Sequence, residues 1–398
     1  MVRPLLLGIG LLAFMTTATQ ARVTLTTWND GKSSLQSIWQ VRFGYSYSTQ
    51  YNSYQTYERN TQTPTWNLRP RISFMLNQYI NDDLTVGGYV RFMHIFMSRH
   101  SRSMNYDYST GTYSDVTYTA THGKNPIRAD RGHFYLDSKT LGRLTVALST
   151  GLYPTQQGAG DVRDFGTNTW FLSNQSRAIT YAYLDTQDRL VRYDSPELSA
   201  DIPLQVSVSY GDMRSNQTND AGQIKRRYDT EVSGALIYNL PQYKGYVSLL
   251  AAQKHVYANY TTKYPTTGYQ LMSKFSPIEN LMVRAEVGLA KEETATVYNR
   301  YRGAGVDLDY RIGRFEPYGG ILYMHTITNN KSSGLQQEKK AYEVYVGTTY
   351  DLATKVANAF NFMLFAEALH SYVRYEKNYA ARLSDHVYTF GGGLLITW

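Results

Sequence analysis

The chain is written in a two-residue rhythm. Over 85–93, Val86, Gly88, Val90 and Phe92 fall on one side, and Thr85, Gly87, Tyr89, Arg91 and Met93 on the other. Over 202–210, Ile202, Leu204, Val206, Val208 and Tyr210 oppose Gln205, Ser207 and Ser209. The stretch 281–289 sets Leu281, Val283, Ala285, Val287 and Leu289 against Arg284 and Glu286, and 342–350 sets Tyr342, Val344, Val346 and Tyr350 against Glu343, Tyr345 and Thr349. Successive side chains of a strand point to opposite faces, so each stretch predicts a β-strand with one greasy side and one polar side. In these stretches the charges keep to one side. Lipid rejects charge and a water-filled interior accepts it, so the expected fold is all-β, a transmembrane antiparallel β-barrel.

The C-terminal stretch repeats the pattern: Tyr388, Phe390, Gly392, Leu394, Ile396 and Trp398 share one face, with Gly391, Gly393, Leu395 and Thr397 on the other. Phe390 and the terminal Trp398 resemble the signal by which outer-membrane barrels are recognised by their assembly machinery. Seven tight turns are expected near 81–83, 137–141, 195–201, 240–244, 276–280, 312–314 and 351–357. Eight longer polar stretches lie between them, at 49–65, 98–124, 151–188, 212–227, 257–268, 291–299, 327–339 and 374–386. Together they join 16 strands of about ten residues, a number that leaves an aqueous channel where eight strands would be filled by side chains.

The N-terminus changes the boundaries. Arg3 precedes an apolar run from Leu5 to Met15, and Thr19 and Ala21 sit at the −3 and −1 positions of a cleavage site before Arg22. Residues 1–21 read as a signal peptide, the run being too short for a membrane helix, and 22–398 as one barrel domain. Beyond Arg22 no apolar run is long enough to cross a bilayer as a helix.

Composition adds support. Mean hydropathy is −0.43, yet 14% of residues are aromatic and 37 are tyrosine. A barrel that is greasy outside and wet inside averages in this way, and tyrosine suits the membrane–water boundary. No cysteine is present, so no disulfide framework supports the fold. The formal charge of +8 raises nucleic acid as a partner, but no run of four Lys or Arg occurs and that reading is set aside.

The stretch 151–188 is too long for a plain hairpin loop. Its glycines (Gly151, Gly158, Gly160, Gly166) alternate with rings such as Tyr153, Phe165, Trp170 and Phe171. Rings of this kind pack against a wall, so the stretch reads as a third loop folded into the barrel that narrows the pore; a surface loop is the alternative.

At this point the residues resemble the general, trimeric outer-membrane porins of Gram-negative bacteria, the 16-stranded diffusion porins. The resemblance runs through Asn29-Asp30-Gly31-Lys32 leading into Leu35, Arg71-Ile-Ser-Phe, Asn81-Asp-Asp-Leu-Thr and Gly88-Tyr-Val-Arg-Phe. It continues through Gly142-Arg-Leu-Thr-Val, Arg192-Tyr-Asp-Ser-Pro-Glu-Leu and the terminal Trp398. Each motif alone is weak; order and spacing carry the likeness, over most of the chain after residue 22. It implies a homotrimer whose third loop brings acidic residues against wall arginines. By position Arg71 and Arg192 match such arginines, Arg42 or Gln40 is near a third, and Arg91 joins them. Asp161 and Asp164 are the nearest acidic candidates, with Asp185 and Asp188 later, while a further family arginine falls near Ser149, a departure.

Those residues would set a transverse field across a narrow aqueous gap, with weak anion preference from the basic excess. Arg71, Arg91, Arg192 and the lumen-facing Arg284 and Glu286 fit bracing ion pairs equally well. The eight histidines include no zinc-ligand spacing, and no metal, cofactor or enzyme activity is expected. Rim-type barrel hydrolases, a sugar channel using inward tyrosines, and an adhesin using the tyrosine-rich stretches 45–57 and 104–118 are the other readings. Expected partners are outer-membrane lipids, lipopolysaccharide and the assembly machinery.

Overall fold

The computed structural model describes residues 23–152, 187–199, 201–218, 224–257, 263–356, 360–377 and 382–397. The expected signal peptide at 1–21, most of the expected constriction loop at 151–188, with Asp161 and Asp164, and Trp398 lie outside the described residues. In chain order the strands are β1 (Val23–Trp28), β2 (Ser33–Tyr54), β3 (Tyr57–Tyr79), β4 (Leu84–Asp107), β5 (Thr112–Ser138), β6 (Gly142–Leu152), β7 (Gln187–Asp194), β8 (Leu204–Thr218) and β9 (Ile224–Leu240). They continue as β10 (Gly245–Tyr257), β11 (Lys263–Phe275), β12 (Leu281–Glu293), β13 (Val297–Tyr310), β14 (Phe315–Asn330), β15 (Gln336–Val356), β16 (Phe360–Lys377) and β17 (Arg382–Thr397).

Each strand pairs antiparallel with its chain neighbours, and β17 returns to β2, from Thr397 opposite Gln40 to Arg382 opposite Tyr54. Strands β2 to β17 thus close into a 16-stranded antiparallel barrel. Closure gives every strand two partners, which is what a polypeptide needs where no water can satisfy its backbone. The additional β1 pairs with the start of β2, from Val23 opposite Ser37 to Trp28 opposite Ser33. It continues the line of β17 along the same edge of β2.

The two-residue rhythm holds. Val346 is 60% exposed and Phe390 55%, whereas their sequence neighbours Tyr345 and Thr389 are 3% and 1%. Leu289, Val287, Val208, Tyr210, Val344 and Leu364 are likewise outward and exposed. At the upper edge of this apolar belt aromatic rings meet across strands, as in Tyr323 and Tyr342 (5.1 Å between centroids), Tyr47 and Phe390 (5.3 Å), and His370 and Tyr388 (4.4 Å). At the lower end of β17 the rhythm lapses, since Leu395 and Ile396 are both buried. Nor is the interior uniformly polar: Tyr318, Tyr345, Leu369 and Val387 form one inward apolar cluster, and Met324, Ala341 and Val373 another.

Strand length departs from expectation. Instead of about ten residues, β2 to β5 run to 22, 23, 24 and 27, while β10 to β12 have 13 each. The stretches expected as loops at 49–65 and 98–124 are mostly hairpin, turning at 55–56 and 108–111. The parts of 212–227, 257–268, 291–299, 327–339 and 374–386 that adjoin the turns are strand in the same way, and Asp351–Val356, expected as turn, belongs to β15. Polar sequence here means a paired strand with water on both sides.

The opposite rim is short. Asn81 Oδ1 accepts from the backbone N–H of Asp83 and of Leu84, shaping the β3–β4 turn. Asp83 then reaches the neighbouring β5–β6 turn, accepting from Ser138 Oγ at 2.8 Å, Thr140 N at 2.9 Å and Thr140 Oγ1 at 2.7 Å. Two adjacent turns are clasped by one carboxylate. The apolar belt begins immediately above this rim, so the short turns face the periplasm and the long hairpins the exterior.

Candidate functional site in the barrel interior

Register fixes which charges point inward. On β2 and β3, Arg42 stands directly opposite Arg69, and Gln40 opposite Arg71. Arg71 donates from Nη1 to Gln40 Oε1 at 3.3 Å. Arg91 on β4 is opposite Ser73 of β3 on one side and Arg131 of β5 on the other. On β6, Arg143 stacks 3.8 Å from the Tyr135 ring of β5, with its Nη1 3.9 Å from Asp137. Arg192 on β7 donates from Nε to Asp194 at 2.9 Å, and Asp194 also accepts from Ser207 Oγ at 2.6 Å. The expected residues Arg42, Arg71, Arg91 and Arg192 therefore belong to one basic arc of wall spanning β2 to β7.

Sequence reasoning missed three members of that arc: Arg69, Arg131 and Arg143. Arg69 carried a usable signal, since it lies two residues before Arg71 and shares its face. Arg143 carried one too, since Leu144 and Val146 alternate with Arg143 and Thr145, whereas the side of Arg131 follows from its pairing with Arg91. The side chain of Ser149, where the family arginine would fall, lies outside the described residues.

On β12 to β16 inward carboxylates predominate, although Lys254 of β10, Lys274 of β11 and Lys339 of β15 share the inward parity. Arg284 of β12 is gripped by two carboxylates of β13, Asp307 at 2.9 Å and Asp309 at 2.7 Å. Glu286, one inward position along, accepts from Gln270 Nε2 at 2.8 Å. Glu316 of β14, Glu343 of β15 and Glu367 of β16 share the inward parity, and the last two are almost wholly buried. Neither Glu343 nor Glu367 was joined to this arc by the sequence, although alternation had turned Glu343 inward.

In a ring of 16 strands the one half-way round lies opposite, so β4 to β7 face β12 to β15. Arginines on one side and carboxylates on the other impose a field across the lumen, strengthened by the low-dielectric walls. One glycine is a condition of this geometry. A Cβ at Gly87 would lie 2.1 Å from the Tyr135 ring, and the Tyr135 hydroxyl donates to Asn77 Oδ1. The bare backbone at Gly87 lets the ring lie flat, and Arg143 rests on that ring. Among the described residues no group of three or more His, Cys, Asp or Glu is placed to hold a metal.

No protein-family profile matches the chain, and no curated protein matches it in sequence. Solved structures do match in fold. In-vitro folded OmpT, an outer membrane protein of Vibrio cholerae, is similar with a TM-score of 0.55 at 13% identity, over 94% of this chain and 99% of that one. The outer membrane channel DcaP of Acinetobacter baumannii gives 0.55 at 10% identity, over 93% and 100%. An anion-selective porin from Comamonas acidovorans gives 0.51 at 12% identity, over 92% and 100%. At these identities the likeness is one of fold, a porin-like barrel. With its apolar belt, the chain is an integral β-barrel of the bacterial outer membrane.

Proposed function

We propose that this protein is a diffusion porin, a water-filled channel for ions and small hydrophilic solutes. The observation that carries the reading is the split wall, with arginines on β2 to β7 and carboxylates on β12 to β16 inside one closed ring. A transverse field aligns polar solutes and penalises an apolar one, which must displace oriented water. Arg42, Arg71 and Arg91 are proposed to act in permeation, and Arg192 and Arg284, each held by aspartate, to brace the wall. In this reading the stretch 151–188 folds inward and adds Asp161 and Asp164 to the constriction, leaving weak anion preference. It also includes removal of residues 1–21, assembly addressed by Phe390 and Trp398, contact with lipopolysaccharide, and a homotrimer. In support of the last, one similar solved structure is described as a trimer form of OmpT.

The channel is preferred over an enzyme because the named structural neighbours include porins and a channel. A sugar-stacking path is the second reading; against it, the inward rings of Tyr318 and Tyr345 are packed into an apolar cluster and buried. The test is single-channel recording of the purified protein in a planar bilayer. Ohmic steps of large conductance in KCl are expected; a correctly folded barrel that passes no current would sink the proposal.

A further inference from the structure

A second interior site lies above the membrane, against the tall part of the wall. Its position follows from the outward face of β4, which changes from Phe92 and Phe96 to Ser98 and His100. Arg99, inward at that height, therefore stands above the hydrocarbon. Here β17, β2, β3, β4 and β5 surround a cavity of about 560 Å3. Three of its lining residues are arginines, Arg59 of β3, Arg99 of β4 and Arg382 of β17, and among the described residues none of the lining is acidic. The remainder supplies hydroxyls and amides, among them Asn52 and the bonded pair Thr61 and Ser103 (2.9 Å).

Among the described residues one carboxylate, Asp385, stands behind this lining and is fully engaged. Asp385 is 1% exposed and accepts from Arg382 Nε at 3.1 Å and Nη2 at 2.5 Å, Asn52 Nδ2 at 2.7 Å and Tyr375 Oη at 2.6 Å. It holds the Arg382 guanidinium by one edge, and Arg382 also lines the cavity. The ring of Tyr54 lies 5.7 Å from the same guanidinium. Three guanidinium groups thus line one space of the size that small-molecule sites occupy, with Lys339 close behind Arg382 and Asp385.

We infer that this vestibule is a binding site for dianionic oxyanions, phosphate and phosphate monoesters, held before they reach the constriction. The planar forks of arginine match phosphate oxygens two at a time, and hydroxyls complete the shell. Several forks converging on one space suit the oxygens of a phosphate better than the two of a monocarboxylate. Capture at the mouth rests on the porin reading; binding itself does not.

The experiment is calorimetric titration of the detergent-folded full-length protein with inorganic phosphate at pH 8, where the dianion dominates, and with acetate at the same ionic strength. Saturable phosphate binding without acetate binding is expected. Arg59→Gln with Arg99→Gln should weaken it by about tenfold or more, since each lost charged hydrogen bond is worth roughly that factor. Arg59→Lys with Arg99→Lys should fall between, having charge without the fork, and retained heat-modifiable migration on gels certifies folding. No saturable binding, equal binding of acetate, or affinity unchanged in the glutamine variant overturns the site. KCl conductance recorded separately decides the porin reading: phosphate binding without current leaves the site standing alone, and current without binding does the reverse.

Discussion

At the scale of single residues, the wall is tuned by neighbours that carry no charge. Gly87 makes room for Tyr135, and Tyr135 supports Arg143. Replacing Gly87 by Ala forces the ring off the strand; overpacking of this kind costs about 1–3 kcal/mol. Because it also moves a cation of the basic arc, Gly87→Ala is expected to lower both the thermal unfolding temperature and the anion permeability. An unchanged reversal potential would show that Arg143 does not depend on the ring. Asp83 acts at the rim. Hydrogen bonds from Thr140 and then Ser138 hold its carboxyl below the usual value. Its contribution is therefore present above the ordinary carboxylate pKa and is lost as pH falls through the lowered one. Denaturant unfolding followed from neutral to strongly acidic pH should show an acid-side loss that is reduced in Asp83→Ala. At this scale the sequence was partly legible: parity alone turned Arg91, Arg284, Glu286 and Glu343 inward, but a cross-strand partner such as Arg131 opposite Arg91 is visible only once register is known.

At the scale of elements, the rhythm marks the segment in lipid and little else. Above the membrane both faces of a strand meet water, so selection for alternation ceases while backbone pairing continues. That is why 57–65 and 98–107 read as loop and are strand. Turn positions were legible because Asn, Asp, Gly and Pro mark them locally, as in Asn81-Asp82-Asp83 and Pro241. Hydrogen exchange distinguishes the two descriptions. Amides of 57–65 and 98–107 are expected to exchange orders of magnitude more slowly than free peptide, and loop-like exchange there would contradict the hairpins. The same tall hairpins carry Arg59 and Arg99, so wall height and the vestibule site are properties of one element pair.

At the scale of the whole molecule, the two halves of the wall oppose one another, and their removal should act with opposite signs. Asp307→Asn with Glu286→Gln is expected to shift the zero-current potential in a KCl gradient towards anion preference, and Arg42→Gln with Arg71→Gln towards cations. Shifts of the same sign in both would reject the split wall as the origin of the field. The seam between β17 and β1 has a further consequence. Thr397 pairs with Gln40 and Val23 with Ser37, so the two ends of the described chain meet the same strand three residues apart, about 10 Å at strand rise. Folded, the polypeptide is nearly a hoop with a splice. A few glycines joining residue 397 to residue 23, with new termini cut in the exposed turn at 331–335, should yield a cyclic rearrangement that refolds in detergent with unaltered conductance. Its former tail would then be internal, so failure of that rearranged chain to reach the cell surface would separate the address proposed for Phe390 and Trp398 from the architecture of the ring.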